Sequence, residues 1–207
     1  NNDQNIVMWM DHRAQEEADF INSLNHDVLK YVGGKVSLEM QIPKLLWLKK
    51  YLYKDSFSKI HHAFDLPDFL TFKATGKTSR SVCSLTCKFN YDAVKGEFPS
   101  DYFEEIGLGE LAENDFRKIG NLILAPGELV GTLSEEAAKD MKLQAGIAIG
   151  CSMIDAHAGA LGLIGSQSKE LGNLDVNSKL VLIAGTSSCH MSITKDLLFA
   201  TGVWGPY

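Results

Sequence analysis

The sequence has few cysteines, no cluster of basic residues and no long apolar run. Its four cysteines are too few and too scattered to hold 207 residues together by disulfides, so reduced thiols are expected. The net charge of −6, without a basic cluster, argues against nucleic acid as a partner. The apolar runs fall far short of the roughly 20 residues that a membrane-spanning helix needs. No membrane partner is therefore expected.

The start of the chain also lacks the features of a secretory signal peptide. Residues 1–5 are polar, and Asp3 stands where a positive charge would be expected. Together with the reduced thiols, this start predicts a cytoplasmic protein.

Three familiar motifs are incomplete here. Cys83 and Cys87 have the spacing of a metal-ligand pair, but no second Cys or His pair follows, so no metal site is predicted and both are interpreted as small buried residues. Gly76-Lys77-Thr78 lacks the earlier glycine and the preceding strand of a nucleotide phosphate loop. The spacing of Gly159 and Gly162 misses the dinucleotide fingerprint, which argues against a dehydrogenase.

The composition is that of an ordinary globular protein, with 45% hydrophobic and 22% charged residues. A length of 207 residues permits one large domain, or one and a half, with a substantial core. No internal repeat and no low-complexity tract is present.

The most informative stretch is residues 146–162, which read GIAIGCSMIDAHAGALG. Ile147 and Ile149 predict a short buried strand, and the small residues after Asp155 predict a helix that passes close to another backbone. An acid at such a helix start can accept a proton from a substrate hydroxyl. Asp155 can equally be an ordinary helix cap, and the local pattern leaves both interpretations open.

A second informative stretch begins with an apolar strand at residues 180–184. It breaks into Gly185-Thr186-Ser187-Ser188, after which residues 189–194 again have the pattern of a strand. A glycine followed by three hydroxyl residues offers backbone and side-chain donors to an anion. The same residues also suit a plain hairpin turn, so this pattern alone does not establish an anion site.

The amino-terminal part holds two further candidates. Residues 5–10 predict a strand, after which Asp11 either caps a helix or has a functional role. Pro43 suits the first turn of a helix that continues to Leu52, which puts Lys44 at a helix start where a positive charge is poorly placed. Lys44 is then either an exposed surface lysine or a functional residue. Capped helices are also predicted over residues 65–76 and 134–142.

In their order and spacing, these segments resemble the FGGY carbohydrate kinases. The resemblance is carried by GIAIGCSMIDAHAGALG, by GTSSCHM at residues 185–191, by WMDHRAQ at residues 9–15 and by IPK at residues 42–44. It covers nearly the whole chain, and the ribulokinase-like branch is the most similar. It implies an α/β fold of the actin-like ATPase (ribonuclease H-like) type. Residues 1–165 would form most of the sugar-binding first lobe, and residues 166–207 a linker and the start of the second lobe.

The resemblance also implies a reaction, transfer of the ATP γ-phosphoryl group to a hydroxyl of a pentulose such as ribulose. Asp155 would be the catalytic base, while Asp11 and Lys44 would bind the sugar. Gly185, Thr186 and Ser187 would hold phosphates, with Mg²⁺ offsetting their charge.

Two parts of the family pattern are missing, the amino-terminal Asp-x-Gly-Thr phosphate loop and the carboxy-terminal adenosine-binding glycines. We therefore expect an incomplete portion of a kinase that is inactive alone and tends to self-associate. The alternative is a truncated, non-catalytic form that binds a sugar or a protein partner.

Overall fold

The structure is a computed structural model that describes residues 5–166, 175–185 and 187–206. The chain forms two compact units. The first unit consists of Asn1–Ser152 and Phe199–Tyr207, and the second of Met153–Leu198. The predicted lobe boundary at residue 165 stays a prediction. In the described part of the chain, no helix is both long enough and apolar enough to span a bilayer.

Helices make up most of the regular structure of the first unit. They are α1 (Gln15–Ser23), α2 (Gln41–Leu52), α3 (Leu66–Thr75), α4 (Val82–Phe89), α5 (Ser100–Glu105) and α6 (Glu135–Met141). Short 3₁₀ turns lie at Asp27–Tyr31, Phe57–Lys59 and Gly109–Leu111. The second unit contributes α7 (Asp155–Gly165) and a 3₁₀ turn at Val176–Ser178.

The strands form short pairs. In the first unit, β1 (Arg80–Ser81) is parallel to β2 (Ile123–Leu124), and β3 (Leu129–Thr132) is antiparallel to β4 (Ala148–Gly150). In the second unit, β5 (Leu180–Ala184) and β6 (Ser188–Ser192) form an antiparallel hairpin. The predicted strands at residues 180–184 and 189–194 are thereby confirmed to within two residues.

Capping residues explain the end of α3 and the start of α6. Asp65 occupies the N-cap position of α3 without a capping hydrogen bond from its side chain, and α3 ends at Gly76 with φ of +72°, a left-handed conformation that suits glycine. The Ser134 hydroxyl accepts a hydrogen bond from the Ala137 N–H at 3.2 Å and caps α6. Both predicted helices are confirmed, as is the one that begins near Pro43.

The core of the first unit is formed by α1, α2, α4, α5 and the turns between them. Its fully buried side chains include Ile21, Leu29, Met40, Ile42, Phe57, Leu85, Phe89, Tyr102, Phe103, Ile106 and Leu108. The last residues of the chain pack back onto this unit. The Gly205 N–H donates to the Tyr31 carbonyl at 2.8 Å, and Gly202 lies so close to Gly33 that a Cβ on Gly33 would be 3.0 Å from the Gly202 carbonyl carbon.

Two expectations about strands are wrong. Residues 5–10 are irregular and end in a turn, and Ile6 is 74% exposed. An apolar run forms a strand only where a partner strand is available, and the described residues place none beside this segment. The strand around Ile149 does form, as β4, but Ile147 is 44% exposed rather than buried.

The second unit has a small core between α7 and the hairpin. Ala160 and Ile164 of α7 pack with Val181 of β5. Gly159 approaches Ile183 closely, since a Cβ at this glycine would lie 3.0 Å from the Ile183 Cδ1. The neighbour is a side chain, so the predicted close approach to another backbone is not confirmed. A larger residue at position 159 would require the Ile183 side chain to shift.

Candidate active site

Lys44 lies in the first turn of α2, where it is 9% exposed. Its Nζ donates hydrogen bonds to the carbonyl of Met8 at 2.8 Å and to that of Trp9 at 2.9 Å. Burial lowers the pKa of Lys44, and the negative charge of Asp11 opposes this shift. The interpretation of Lys44 as an exposed surface lysine is therefore wrong. The lysine instead ties the irregular amino-terminal segment to the start of α2.

Asp11 forms an ion pair with Arg13. The Arg13 Nε donates to both carboxylate oxygens, at 2.9 and 3.0 Å, and Nη2 donates to Oδ2 at 2.5 Å. These hydrogen bonds are the main reason that the pKa of Asp11 falls to about 2. Asp11 does not cap a helix, because α1 begins at Gln15 with Ala14 as its N-cap residue. The capping interpretation of Asp11 is therefore wrong.

Arg13 is a candidate site residue that the sequence reasoning missed. Its guanidinium lies 4.3 Å from the centre of the Trp47 ring, a cation–π contact across to α2. The sequence did contain an indication of this pair, since the side chain of an arginine two residues after an acid can reach the carboxylate of that acid. Together with Asp11, Lys44 and Trp47, it lines a small cleft whose other walls are Val7, Ala14 and Leu48.

The polar groups of this cleft are of the kinds that bind a polyhydroxyl ligand, but its volume of about 10 Å³ has room for no more than a water-sized group. It offers a carboxylate that accepts hydrogen bonds, two cations that donate them and an aromatic ring next to apolar side chains. Arg13 already donates hydrogen bonds to both oxygens of the Asp11 carboxylate. A ligand hydroxyl that donates to this carboxylate would therefore share the acceptor with Arg13.

Asp155 is the first residue of α7, and its side chain is exposed. The carboxylate Oδ1 accepts a hydrogen bond from the Ala156 N–H at 2.8 Å. The N-cap position belongs to Ile154, which has no side-chain acceptor. Asp155 thus lies inside the helix start, where the N-terminal end of the helix favours its negative charge. Its catalytic role stays a prediction.

The proposed phosphate-binding turn joins β5 to β6. Gly185 and Ser187 are both exposed, and the Gly185 N–H donates to the Ser187 carbonyl at 2.9 Å. Among the described residues, a Cβ at Gly185 would come within 4 Å of that carbonyl only, at 3.7 Å. The phosphate-binding role of the turn stays a prediction. Thr186 lies outside the described residues.

The candidates divide between the two units. Asp11 and Lys44 lie together in the first unit, whereas Asp155, Gly185 and Ser187 belong to the second. The cleft that holds Asp11 and Lys44 is therefore described for the first unit alone, and Asp155, Gly185 and Ser187 for the second unit alone.

Curated proteins match the chain along nearly its whole length, although no family model matches it. The human FGGY carbohydrate kinase domain-containing protein is 51% identical over 209 residues, which is 99% of this chain and 38% of that protein. A D-ribulokinase of Saccharomyces cerevisiae is 41% identical over 230 residues, which is 100% of this chain and 32% of that protein. The chain thus spans about a third of the length of these relatives.

Solved structures show the same fold at low sequence identity. A xylulose kinase from Rhodospirillum rubrum has a TM-score of 0.67 at 15% identity, covering 89% of this chain and 36% of that one. A glycerol kinase from Plasmodium falciparum, solved with ADP, has a TM-score of 0.59 at 15% identity, covering 76% of this chain and 31% of that one. These likenesses show the actin-like ATPase fold, of which the chain contains part of the first lobe. The curated relatives show that the chain belongs to the FGGY carbohydrate kinase family.

Proposed function

We propose that this chain is the sugar-binding part of an ATP-dependent kinase that phosphorylates a pentulose, with D-ribulose as the first candidate. The observation that carries the proposal is the cleft in which buried Lys44 lies near the Asp11–Arg13 pair. The D-ribulokinase among the relatives supports the choice of sugar.

The residues of the cleft would bind the sugar through its hydroxyl groups. Lys44 directs hydrogen bonds to two carbonyls, and its ammonium group has three donors, so one N–H can serve a hydroxyl. Arg13 presents further donors in a plane held over Trp47. Because Lys44 is buried and held by two hydrogen bonds, little side-chain entropy remains to be lost when the sugar binds.

The second unit would supply the transfer chemistry. Asp155 would accept the proton of the attacking sugar hydroxyl, a role worth roughly 10²–10⁴ in rate. Gly185, Thr186 and Ser187 would hold phosphate oxygens of ATP. Bound Mg²⁺ would neutralise the charge that develops on the phosphate oxygens, and an exposed carboxylate such as that of Asp155 fits its preference for oxygen ligands.

A second candidate function is non-catalytic binding. It is favoured by exposed apolar side chains of the second unit, where Leu161 is 60% exposed, Leu180 70% and Leu182 54%. Such side chains promote association with another protein surface or with a second copy. The chain would then bind a sugar or a partner without turnover.

The two functions are separated by a hybrid kinase in which residues 1–207 replace the matching stretch of the S. cerevisiae D-ribulokinase. We expect the hybrid to form ADP from ATP in the presence of Mg²⁺ and D-ribulose, and to lose this activity in the Asp155→Asn variant. A well-folded hybrid that binds D-ribulose without forming ADP would support the binding function. A hybrid that neither binds nor turns over any pentulose would contradict both.

A further inference from the structure

Asp68 is a buried acid that the proposed site does not use. It lies in the first turn of α3 and is 1% exposed. Its Oδ1 accepts a hydrogen bond from the Ser81 N–H and another from the Ser152 hydroxyl, both at 2.9 Å. The second oxygen, Oδ2, is also buried and has no hydrogen-bond partner among the described residues.

The two donors come from distant parts of the chain. Ser81 ends β1 and is the N-cap residue of α4, while Ser152 lies two residues after the end of β4 and 84 positions from Asp68. One carboxylate oxygen therefore joins the start of α3, the start of α4 and the segment that leaves β4. The neighbouring Cys151 fixes this segment further, since its N–H donates to the Glu128 carbonyl at 2.7 Å.

Ser152 is also the last residue of the first unit before the chain enters the second. Asp155 follows Ser152 by three positions along the chain, and three residues span at most about 10 Å. The position at which Ser152 is fixed therefore limits where the start of α7 can lie. A shift of about 1 Å at a reacting group can lower a rate by about a hundredfold.

We propose that Asp68 is a positioning residue that anchors Ser152 and thereby the chain segment leading to Asp155. The catalytic consequence rests on the proposed role of Asp155, whereas the anchoring itself does not. Asp68 touches no substrate in this proposal and acts only through Ser152.

The surroundings of Asp68 support an anchor that weakens in acid. Burial raises the pKa of Asp68 to about 6, and the negative charge of Asp65 at the start of α3 adds to this shift. The hydrogen bonds from Ser81 and Ser152 and the positive charge of Arg80 of β1 oppose it. The Arg80 guanidinium donates to the Thr78 and Ala63 carbonyls, at 2.5 and 3.1 Å. At neutral pH the carboxyl group is thus an anion, which accepts the Ser152 hydrogen bond more strongly than a neutral group does.

The test uses Ser152→Ala, which removes one donor and leaves the Ser81 hydrogen bond in place. In the hybrid kinase we expect kcat to fall about tenfold or more, with the KM for D-ribulose within about threefold, because binding residues are untouched. Ser152→Thr keeps the hydroxyl and should restore kcat. Combining Ser152→Ala with Asp68→Asn should lower kcat little further than the larger single effect, since both changes act on one hydrogen bond.

Asp92→Asn is the matched control. Asp92 is also buried, and its Oδ1 also accepts two hydrogen bonds, from the Val94 and Lys95 N–H groups within one turn. This change should leave kcat within about twofold, since the turn does not contact Ser152. If Asp92→Asn lowered kcat as much as Ser152→Ala does, the loss would reflect the general stability of the fold and not the position of Ser152. That result would overturn the inference.

Hydrogen exchange measured on the 207-residue chain tests whether Ser152 is anchored, and it does not depend on catalytic activity. Peptides covering residues 151–158 should exchange several-fold faster in Ser152→Ala than in the unsubstituted chain, with no change in α5. Unchanged exchange would overturn the anchoring. A normal kcat in Ser152→Ala alongside a large loss in Asp155→Asn would overturn the positioning role and leave the proposed function intact. An active Asp155→Asn variant would instead contradict the proposed function, and the exchange result would still decide the anchoring.

Discussion

The buried carboxyl group of Asp68 should give the stability of this chain a specific pH dependence. A carboxyl group with a higher pKa in the folded than in the unfolded state binds its proton more tightly when folded. The contribution of this proton to the free energy of unfolding is therefore fully present below the ordinary pKa of 3.8, and it is lost as the pH rises through about 6. The Asp68→Asn variant has no such proton to bind.

The magnitude follows from the two pKa values. Between 3.8 and about 6 lie roughly two pKa units, each worth about 1.4 kcal/mol. Because the Asp68 side chain is almost fully buried, solvent screening reduces this little. The free energy of unfolding of the unsubstituted chain, relative to that of Asp68→Asn, should therefore fall by about 2 kcal/mol between pH 4 and pH 7.

Urea unfolding of both proteins at several pH values measures this difference directly. Asp11→Asn is the contrasting variant, because the pKa of Asp11 lies at about 2 and its effect on stability changes below pH 4 instead. A difference between the unsubstituted chain and Asp68→Asn that is constant from pH 4 to pH 7, or that grows with pH, would refute the reasoning.

Three further predictions concern the site. Asp155→Asn in the hybrid kinase should lower kcat at least about a hundredfold while sugar affinity stays within a few fold; a normal kcat with a lower melting temperature would assign Asp155 to helix stability alone. Lys44→Ala should raise the KM for the sugar and leave that for ATP unchanged, as steady-state kinetics would show; equal effects on both, or none, would contradict sugar contact. The 207-residue chain alone, with ATP, Mg²⁺ and a panel of pentuloses and pentitols, should form no ADP above background and should self-associate in sedimentation experiments. Steady turnover by a monomer would contradict this expectation.

Local sequence was enough to predict most helices and the hairpin. Gly76 ends α3 and Ser134 caps the start of α6, because capping groups act within one turn of the helix end at which they lie. The helix that follows Asp155 was also predictable, since its small residues and its preceding turn lie next to one another in the chain.

The predicted strand at residues 5–10 shows the limit of such reasoning. Its pattern is that of a strand, but a strand also requires a partner, and which segments pair is not a local property. The exposure of Ile147 has the same origin, since burial depends on what covers a strand and not on the strand itself.

The sequence by itself determined the family, the capped helices and the chemical types of the candidate residues, because these follow from neighbouring residues and their order. Only the tertiary structure decided what these residues contact. It buried Lys44 against the Met8 and Trp9 carbonyls, 36 and 35 positions away, and paired Asp68 with Ser152, 84 positions away. Contacts between such distant residues depend on how α2, α3 and the loops pack together. These contacts stabilise the protein only once distant parts of the chain have come together, so no local sequence pattern predicts them.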